Sequence, residues 1–280
     1  MTLHVTSYGP EDGTPVLAVH GITSHGRAFA QLAGLLPEHR ILAPDLRGRG
    51  RSNHLPGPFG LRTHAADLAE LLDADRAGAR IVAGHSMGAF VAVLLAAARP
   101  DLVSRLVLID GGLPLELPRR RIPDDVAELL GPAAERLAMR FPDEDAYLGF
   151  WRMHPAIGPY WPDGFADYAR YDLSGAAPEL RPAASADAML ADGAELYGPP
   201  WYRAALERVT APVTVLRAPR GLTDAAPLYA PGALEAFRGV LPQLEVVDVD
   251  DVNHYTILFS RPGADRVADV ITRTPAKEPL

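Results

Sequence analysis

A serine stands between two glycines in Gly84-His85-Ser86-Met87-Gly88, after the apolar run Ile81-Val82-Ala83 and before the Ala/Leu-rich stretch from Ala89 to Ala98. Strand, sharp turn and helix form the setting in which G-x-S-x-G presents a serine hydroxyl on a strained backbone. Residues two before and two after that serine must lack side chains, or they would collide with neighbouring strands; Gly84 and Gly88 meet that need. Serine alone is a weak nucleophile at neutral pH, so acyl transfer requires a base beside it and a third group to orient the base. Among nine histidines, His254 has the best address. It follows the last predicted strand and precedes the C-terminal helix, where a loop can hang its imidazole over Ser86. A tetrahedral intermediate also needs backbone N–H donors aimed at its oxyanion. One is the amide of Met87, at the start of the helix after the turn, where the helix dipole favours negative charge. The other is the amide of Ile22 in His20-Gly21-Ile22-Thr23, where Gly21 lets the backbone approach. His20 is read as a brace for this loop, since His254 fills the base role.

These groups must be positioned by a scaffold, and the chain alternates strand-like and helix-like runs. Strands are expected at Val16 to Val19, Arg40 to Ala43, Ile81 to Ala83, Leu106 to Ile109, Val213 to Leu216 and Leu244 to Val249. Helices are expected at Arg27 to Leu36, His64 to Leu72, Met87 to Ala98, Gly232 to Val240 and Gly263 to Ile271. Such alternation predicts an α/β domain, a mostly parallel sheet with helices on both faces. Between Gly112 and Val209 about a hundred residues carry no predicted sheet strand, too many for a structureless loop. With Leu129 to Phe141 and Ala184 to Leu196 reading as helices, an inserted helical cap over 113–208 is expected, between core segments 1–112 and 209–280. All three tryptophans, Trp151, Trp161 and Trp201, fall in it, as does Tyr160. Either they roof a substrate pocket or they form the cap's own core.

Composition narrows the field. With 280 residues, 48% hydrophobic and 22% charged, the chain can bury a full core. A net charge of −8 disfavours a nucleic-acid partner, and Arg119-Arg120-Arg121 reads as a short solvated cluster. The absence of cysteine excludes disulfides, thiolate metal sites and cysteine nucleophiles. No signal-peptide pattern opens the chain and no run approaches ~18 apolar residues, so a cytoplasmic protein without a membrane partner is expected. Enrichment in Ala, Arg, Pro, Gly, Leu and Asp over Lys and Asn points to a GC-rich, bacterial source. The polar tail Thr272 to Leu280 is expected to fray.

Taken in order, His20-Gly21, Asp45-Leu46-Arg47-Gly48-Arg49-Gly50-Arg51-Ser52, the Gly84 to Gly88 turn and Asn253-His254-Tyr255-Thr256 resemble the α/β-hydrolase fold superfamily over nearly the whole chain. The resemblance implies Ser86 as nucleophile, His254 as base, the amides of Ile22 and Met87 as oxyanion hole, no cofactor and no metal. It makes the Asp45 to Ser52 segment a structural loop at the site's rim. The acid departs from the family pattern: beyond the seventh strand the sequence reads Val213 to Gly221, and Gly221 occupies the usual slot. Asp224, a little further on, serves if that loop is longer than normal. Asp110, ending the strand beside the nucleophile strand, is the alternative and is preferred because the sheet itself fixes its place. Asp248, Asp250 and Asp251 read as a solvated edge.

A serine nucleophile points to acyl transfer through an acyl-enzyme. The aromatic cap and the lack of a conspicuous cationic cluster favour an apolar, uncharged carboxylic ester or lactone, with Trp151, Trp161, Tyr160 and Trp201 as substrate-binding candidates. Alternatives with the same triad are a C–C bond hydrolase, which would need a cationic clamp from Arg47, Arg152 or Arg217, and a cofactor-free perhydrolase. A non-enzymatic small-molecule receptor is a further alternative. The expected partner is a small-molecule substrate, and a homodimer is the candidate assembly.

Overall fold

The apolar runs become strands β1 (Val5–Tyr8), β2 (Thr14–Val19), β3 (His39–Pro44), β4 (Arg80–His85), β5 (Val103–Ile109), β8 (Val213–Arg217) and β9 (Leu244–Asp248), with a separate two-residue pair, β6 (Leu173–Ser174) and β7 (Arg181–Pro182). In this computed structural model, which describes residues 2–75, 78, 80–115 and 132–273, seven strands form one sheet in the order β1-β3-β2-β4-β5-β8-β9. Only β1 runs antiparallel; it pairs with β3 through the register Val5 to Pro44. The run Arg119 to Arg121, the start of the expected helix at Leu129 and the tail beyond residue 273 lie outside the described residues.

Side chains alternate across each strand, so the sheet sorts its apolar residues onto two cores. Leu17 and Val19 of β2 and Leu106 and Leu108 of β5 join one cluster, whereas Val16, Ala18, Val107 and Ile109 join the other. The first is covered by α2 (Leu61–Asp75) and α3 (Met87–Ala98), through Leu68, Leu72 and Phe90. The second is covered by α1 (Ala30–Gly34) and α9 (Arg261–Thr272), through Leu32, Val267 and Ile271. After β2 the chain crosses to β3 on one side, and after β4 to β5 on the other. This reversal opens a crevice at the carboxyl ends of β2 and β4, where ligands bind in open α/β sheets.

Several elements differ from the sequence-based expectation. The edge strand β1 was unforeseen because Val5-Thr6-Ser7-Tyr8 is short and half-polar. Arg27 to Leu36 divides into a 3-10 turn, Gly26–Phe29, and the short α1. Ala233–Gly239 is a 3-10 helix rather than α; it starts from left-handed Gly232 (φ 78°) with no side-chain cap.

Between β5 and β8 lie α4 (Pro132–Ala138), α5 (Glu144–Met153), α6 (Phe165–Tyr171), the β6–β7 pair, α7 (Ala186–Gly193) and α8 (Pro200–Leu206). Asp143 and Ser185 cap α5 and α7 by accepting the amides of Ala146 and Ala188. Tyr202, Ala205 and Leu206 of α8 belong to the core beside α3, and the Tyr202 ring lies 5.4 Å from Phe90. The last helix of this stretch is thereby tied to the sheet's own packing.

Candidate active site

At the end of β4 the backbone turns sharply: Ser86 adopts φ 53° and ψ −124°, a strained conformation for a residue with a β-carbon. It is held from both sides, its amide donating to Ile109 O at 2.9 Å and its carbonyl accepting from Ala89 N at 3.0 Å. A β-carbon at Gly84 would stand 2.5 Å from the Gly88 carbonyl oxygen, and one at Gly88 2.1 Å from that of Val19. Met87 opens α3, so its amide sits at the positive end of that helix. The Ile22 loop lies against the same serine: a β-carbon at Gly21 would be 3.2 Å from Ser86 Cβ.

Asp110 ends β5 in a left-handed conformation, φ 44°. One carboxylate oxygen accepts from Ala218 N at 3.1 Å and the other lies 2.6 Å from His254 Nδ1. Both side chains are buried. A carboxylate at Nδ1 fixes the proton there and leaves Nε2 as the basic atom of the neutral ring. The His254 backbone is anchored too, its amide donating to Arg220 O at 2.9 Å and its carbonyl accepting from His85 Nε2 at 2.8 Å. Asp224 does not reach the imidazole. Its carboxylate accepts from Arg220 Nε and Asn253 Nδ2, each at 2.9 Å, and from the Tyr160 hydroxyl at 2.8 Å.

His20 and His85 bracket the site as fixed neutral rings. His20 Nδ1 donates to Gly21 O at 2.8 Å while Nε2 accepts from Leu46 N at 2.9 Å, a pair that only the neutral tautomer can make. Burial pushes each pKa from its ordinary 6.5 down to about 3, with the neighbouring His254 a further depressing influence on His85. Unfolded, each ring takes a proton near 6.5, so the unfolded chain binds more protons below that pH. Their contribution to stability is whole above pH 6.5 and is lost as the pH falls toward 3. At pH 5 the loss reaches roughly 2 kcal/mol for each ring. Thermal unfolding between pH 7.5 and 5 should therefore show a midpoint that drops by several degrees; a midpoint constant over that range would contradict the assignment.

Ser86 and His254 line one cavity that is partly open to solvent. Ile22, Leu115, Leu196, Leu222, Leu228 and Phe259 form much of its wall, and no Asp, Glu, Lys or Arg among the described residues lines it. Of the four aromatic candidates only Trp151 is there. It shares the buried face of α5 with Tyr147 and Leu148. Trp161 packs on Phe165 under the Arg152 guanidinium, Trp201 packs on the main core under Arg62, and Tyr160 is exposed, with its hydroxyl on Asp224. The leucines at 222 and 228 went unnoticed in the sequence because they stand singly in a loop without periodicity, whereas Tyr255 and Phe259, one helical turn apart beside His254, carried a readable signal. The arginines considered as a clamp are engaged elsewhere: Arg47 with Asp67 at 2.6 Å, Arg217 with Asp248 at 2.6 Å and Arg152 over Trp161. Among the described residues no cluster of His, Asp or Glu has the arrangement to hold a metal ion, and no helix is long and apolar enough to cross a membrane.

Comparison with known proteins matches residues 16–270 to the model of an alpha/beta hydrolase family. Lipase LipV of Mycobacterium tuberculosis is 48% identical over 119 residues, which span 42% of this chain and 45% of the lipase, less than half its length. A 2-(acetamidomethylene)succinate hydrolase of Mesorhizobium japonicum is 32% identical over 262 residues, 91% of this chain and 86% of its own. The crystal structure of E-2-(acetamidomethylene)succinate hydrolase superposes with a TM-score of 0.78 at 27% identity, covering 96% of this chain and 93% of the other.

Proposed function

The chain belongs to the alpha/beta hydrolase family, and on that premise we propose that it is a serine hydrolase of uncharged carboxylic esters or lactones. His254 Nε2 takes the Ser86 proton as Oγ attacks the carbonyl carbon. The amides of Ile22 and Met87 hold the oxyanion, and Asp110 keeps the ring oriented and stabilises it once it is charged. His254 then delivers its proton to the leaving oxygen, and water, deprotonated by the same ring, clears the acyl-enzyme. The observation that carries the substrate class is the wall: Ser86 and His254 open onto leucine, isoleucine and aromatic side chains, with no described cation among them. A succinate-type substrate, such as the Mesorhizobium relative's name specifies, would bring carboxylates into a wall with nothing described to neutralise them. Burying an unpaired carboxylate costs several kcal/mol. The homology to a lipase supports the same reading, over the stretch that matches.

Two measurements test it. Intact mass after exposure to a fluorophosphonate should show one adduct on the wild type and none on Ser86→Ala. Among p-nitrophenyl esters, kcat/KM for a neutral acyl chain should exceed that for the hemisuccinate of similar length by at least about 10²-fold. Equal rates on the two esters would overturn the substrate class, and an unlabelled wild type would overturn the mechanism.

A further inference from the structure

Arg49 is the central residue of the Asp45 to Ser52 loop, and its side chain is 0% exposed. It reaches in three directions at once. Nε donates to the carbonyl of Ile22 at 2.9 Å, Nη1 to that of Arg47 at 3.0 Å, and Nη2 pairs with Asp192 Oδ2 at 2.5 Å. Nη2 also lies 3.9 Å from the sulfur of Met87. One guanidinium therefore touches both residues whose amides are the oxyanion donors proposed above. Asp192 belongs to α7 of the insertion and is likewise 0% exposed; its other oxygen accepts from Gly60 N at 2.7 Å, and His64 Nε2 lies 2.9 Å from Oδ2. The helix is seated on the same loop by a second contact, Ser185 N donating to Gly48 O at 2.8 Å, and a β-carbon at Gly48 would come within 2.8 Å of Ala188 Cβ.

We propose that Arg49 is a positioning residue through which Asp192 of the inserted helix α7 sets the oxyanion turn, so that cap seating and oxyanion-hole formation are one event. An oxyanion hole acts only if its donors are aimed before charge develops. Fixing the carbonyl of Ile22 fixes the residue whose amide is the donor. The planar fork of arginine can hold that carbonyl and the Asp192 carboxylate together, whereas a lysine ammonium, a single point of charge, cannot span both. The inference rests on the serine-hydrolase reading, and its test separates the two.

The probes are a trifluoromethyl ketone, which adds to an active serine and places a negative oxygen in the oxyanion hole, and the matching methyl ketone, which fills the same cavity without that charge. Arg49→Lys should lower kcat per fluorophosphonate-titrated site by on the order of 10²-fold with KM little changed. Affinity for the trifluoromethyl ketone should fall by a similar factor and affinity for the methyl ketone should hold. Asp192→Asn, which keeps an acceptor for Gly60 N–H, provides an independent measurement should Arg49→Lys fail to fold, and the same split is expected. Equal loss for both ketones, or full kcat per titrated site in either folded variant, overturns the proposal while leaving the hydrolase reading in place. A wild type that fails to add the trifluoromethyl ketone overturns both.

Discussion

Ser86→Ala is expected to lower kcat by about 10⁶-fold while leaving the protein folded. The backbone contacts that hold the elbow, Ser86 N to Ile109 O and Ala89 N to Ser86 O, do not involve the hydroxyl and survive the change. The side chain is only partly buried, so removing one oxygen opens little internal space. What disappears is the atom proposed to form the acyl-enzyme. Because nucleophile, base and acid act as a unit, His254→Ala should cost nearly as much, and the double variant little more than either alone. Residual turnover above the uncatalysed rate, about 10³-fold, is expected from the oxyanion donors and the cavity. Binding gives the complementary readout: an uncharged ester should retain its affinity for Ser86→Ala, because the apolar wall is untouched. Steady-state kinetics, fluorophosphonate labelling and a ligand-induced shift in unfolding temperature check the three parts. A variant with more than about a tenth of wild-type turnover would falsify the nucleophile assignment.

The elbow could be read from the chain because its constraints are local. An apolar run, two glycines and a helix-forming stretch leave one backbone solution, and the strained φ of Ser86 is that solution. The parallel core was legible for a related reason, since uninterrupted Val/Ile/Leu runs recur at the spacing of βα units. The stretch between β5 and β8 was legible as a gap but not as a set of elements. Its two-residue strands β6 and β7 are too short to show a period, and α4, α6 and α8 contribute just under two turns each. Buried charge was the least visible feature. Nothing in the sequence marks Arg49 or Arg136 for burial, yet both are buried, Arg49 against Asp192 and Arg136 against Asp172 and the Tyr147 hydroxyl. Each pair joins residues far apart in the chain, so neither partner announces the other. For the three tryptophans the sequence leaves a substrate roof and a local core both open; a guanidinium over the ring gives Trp161 and Trp201 their own packing, and only Trp151 reaches the cavity.

Asp110→Asn is expected to lower kcat by about 10⁴-fold, and Asp224→Asn by less than about tenfold. The contrast follows from where the two carboxylates sit. Asp110 is fully buried, with one oxygen on Ala218 N and the other 2.6 Å from His254 Nδ1. An asparagine there can keep the Ala218 contact with its carbonyl, but its NH₂ group then faces Nδ1 and favours the tautomer with the proton on Nε2. The ring keeps its place and loses its function as a base toward Ser86. Asp224 acts at a distance. It gathers Arg220, Asn253 and the Tyr160 hydroxyl, and two of these belong to the support of the base loop: Arg220 O accepts the His254 amide, and Asn253 Oδ1 accepts the amides of Tyr255 and Thr256 at 2.9 Å each. An asparagine at 224 keeps one oxygen for Asn253 and Arg220, turns its NH₂ toward the Tyr160 hydroxyl, which can accept, and weakens the ion pair with Arg220, which is partly exposed and contributes little. The pH–rate profile distinguishes the two further, because a wrong-tautomer base recovers activity only as the pH rises, whereas a loosened loop lowers the whole curve. If Asp224→Asn proved the more damaging change, with Asp110→Asn close to wild type, the acid would be Asp224, and the base loop would have to move by several ångströms for Asp224 to reach His254.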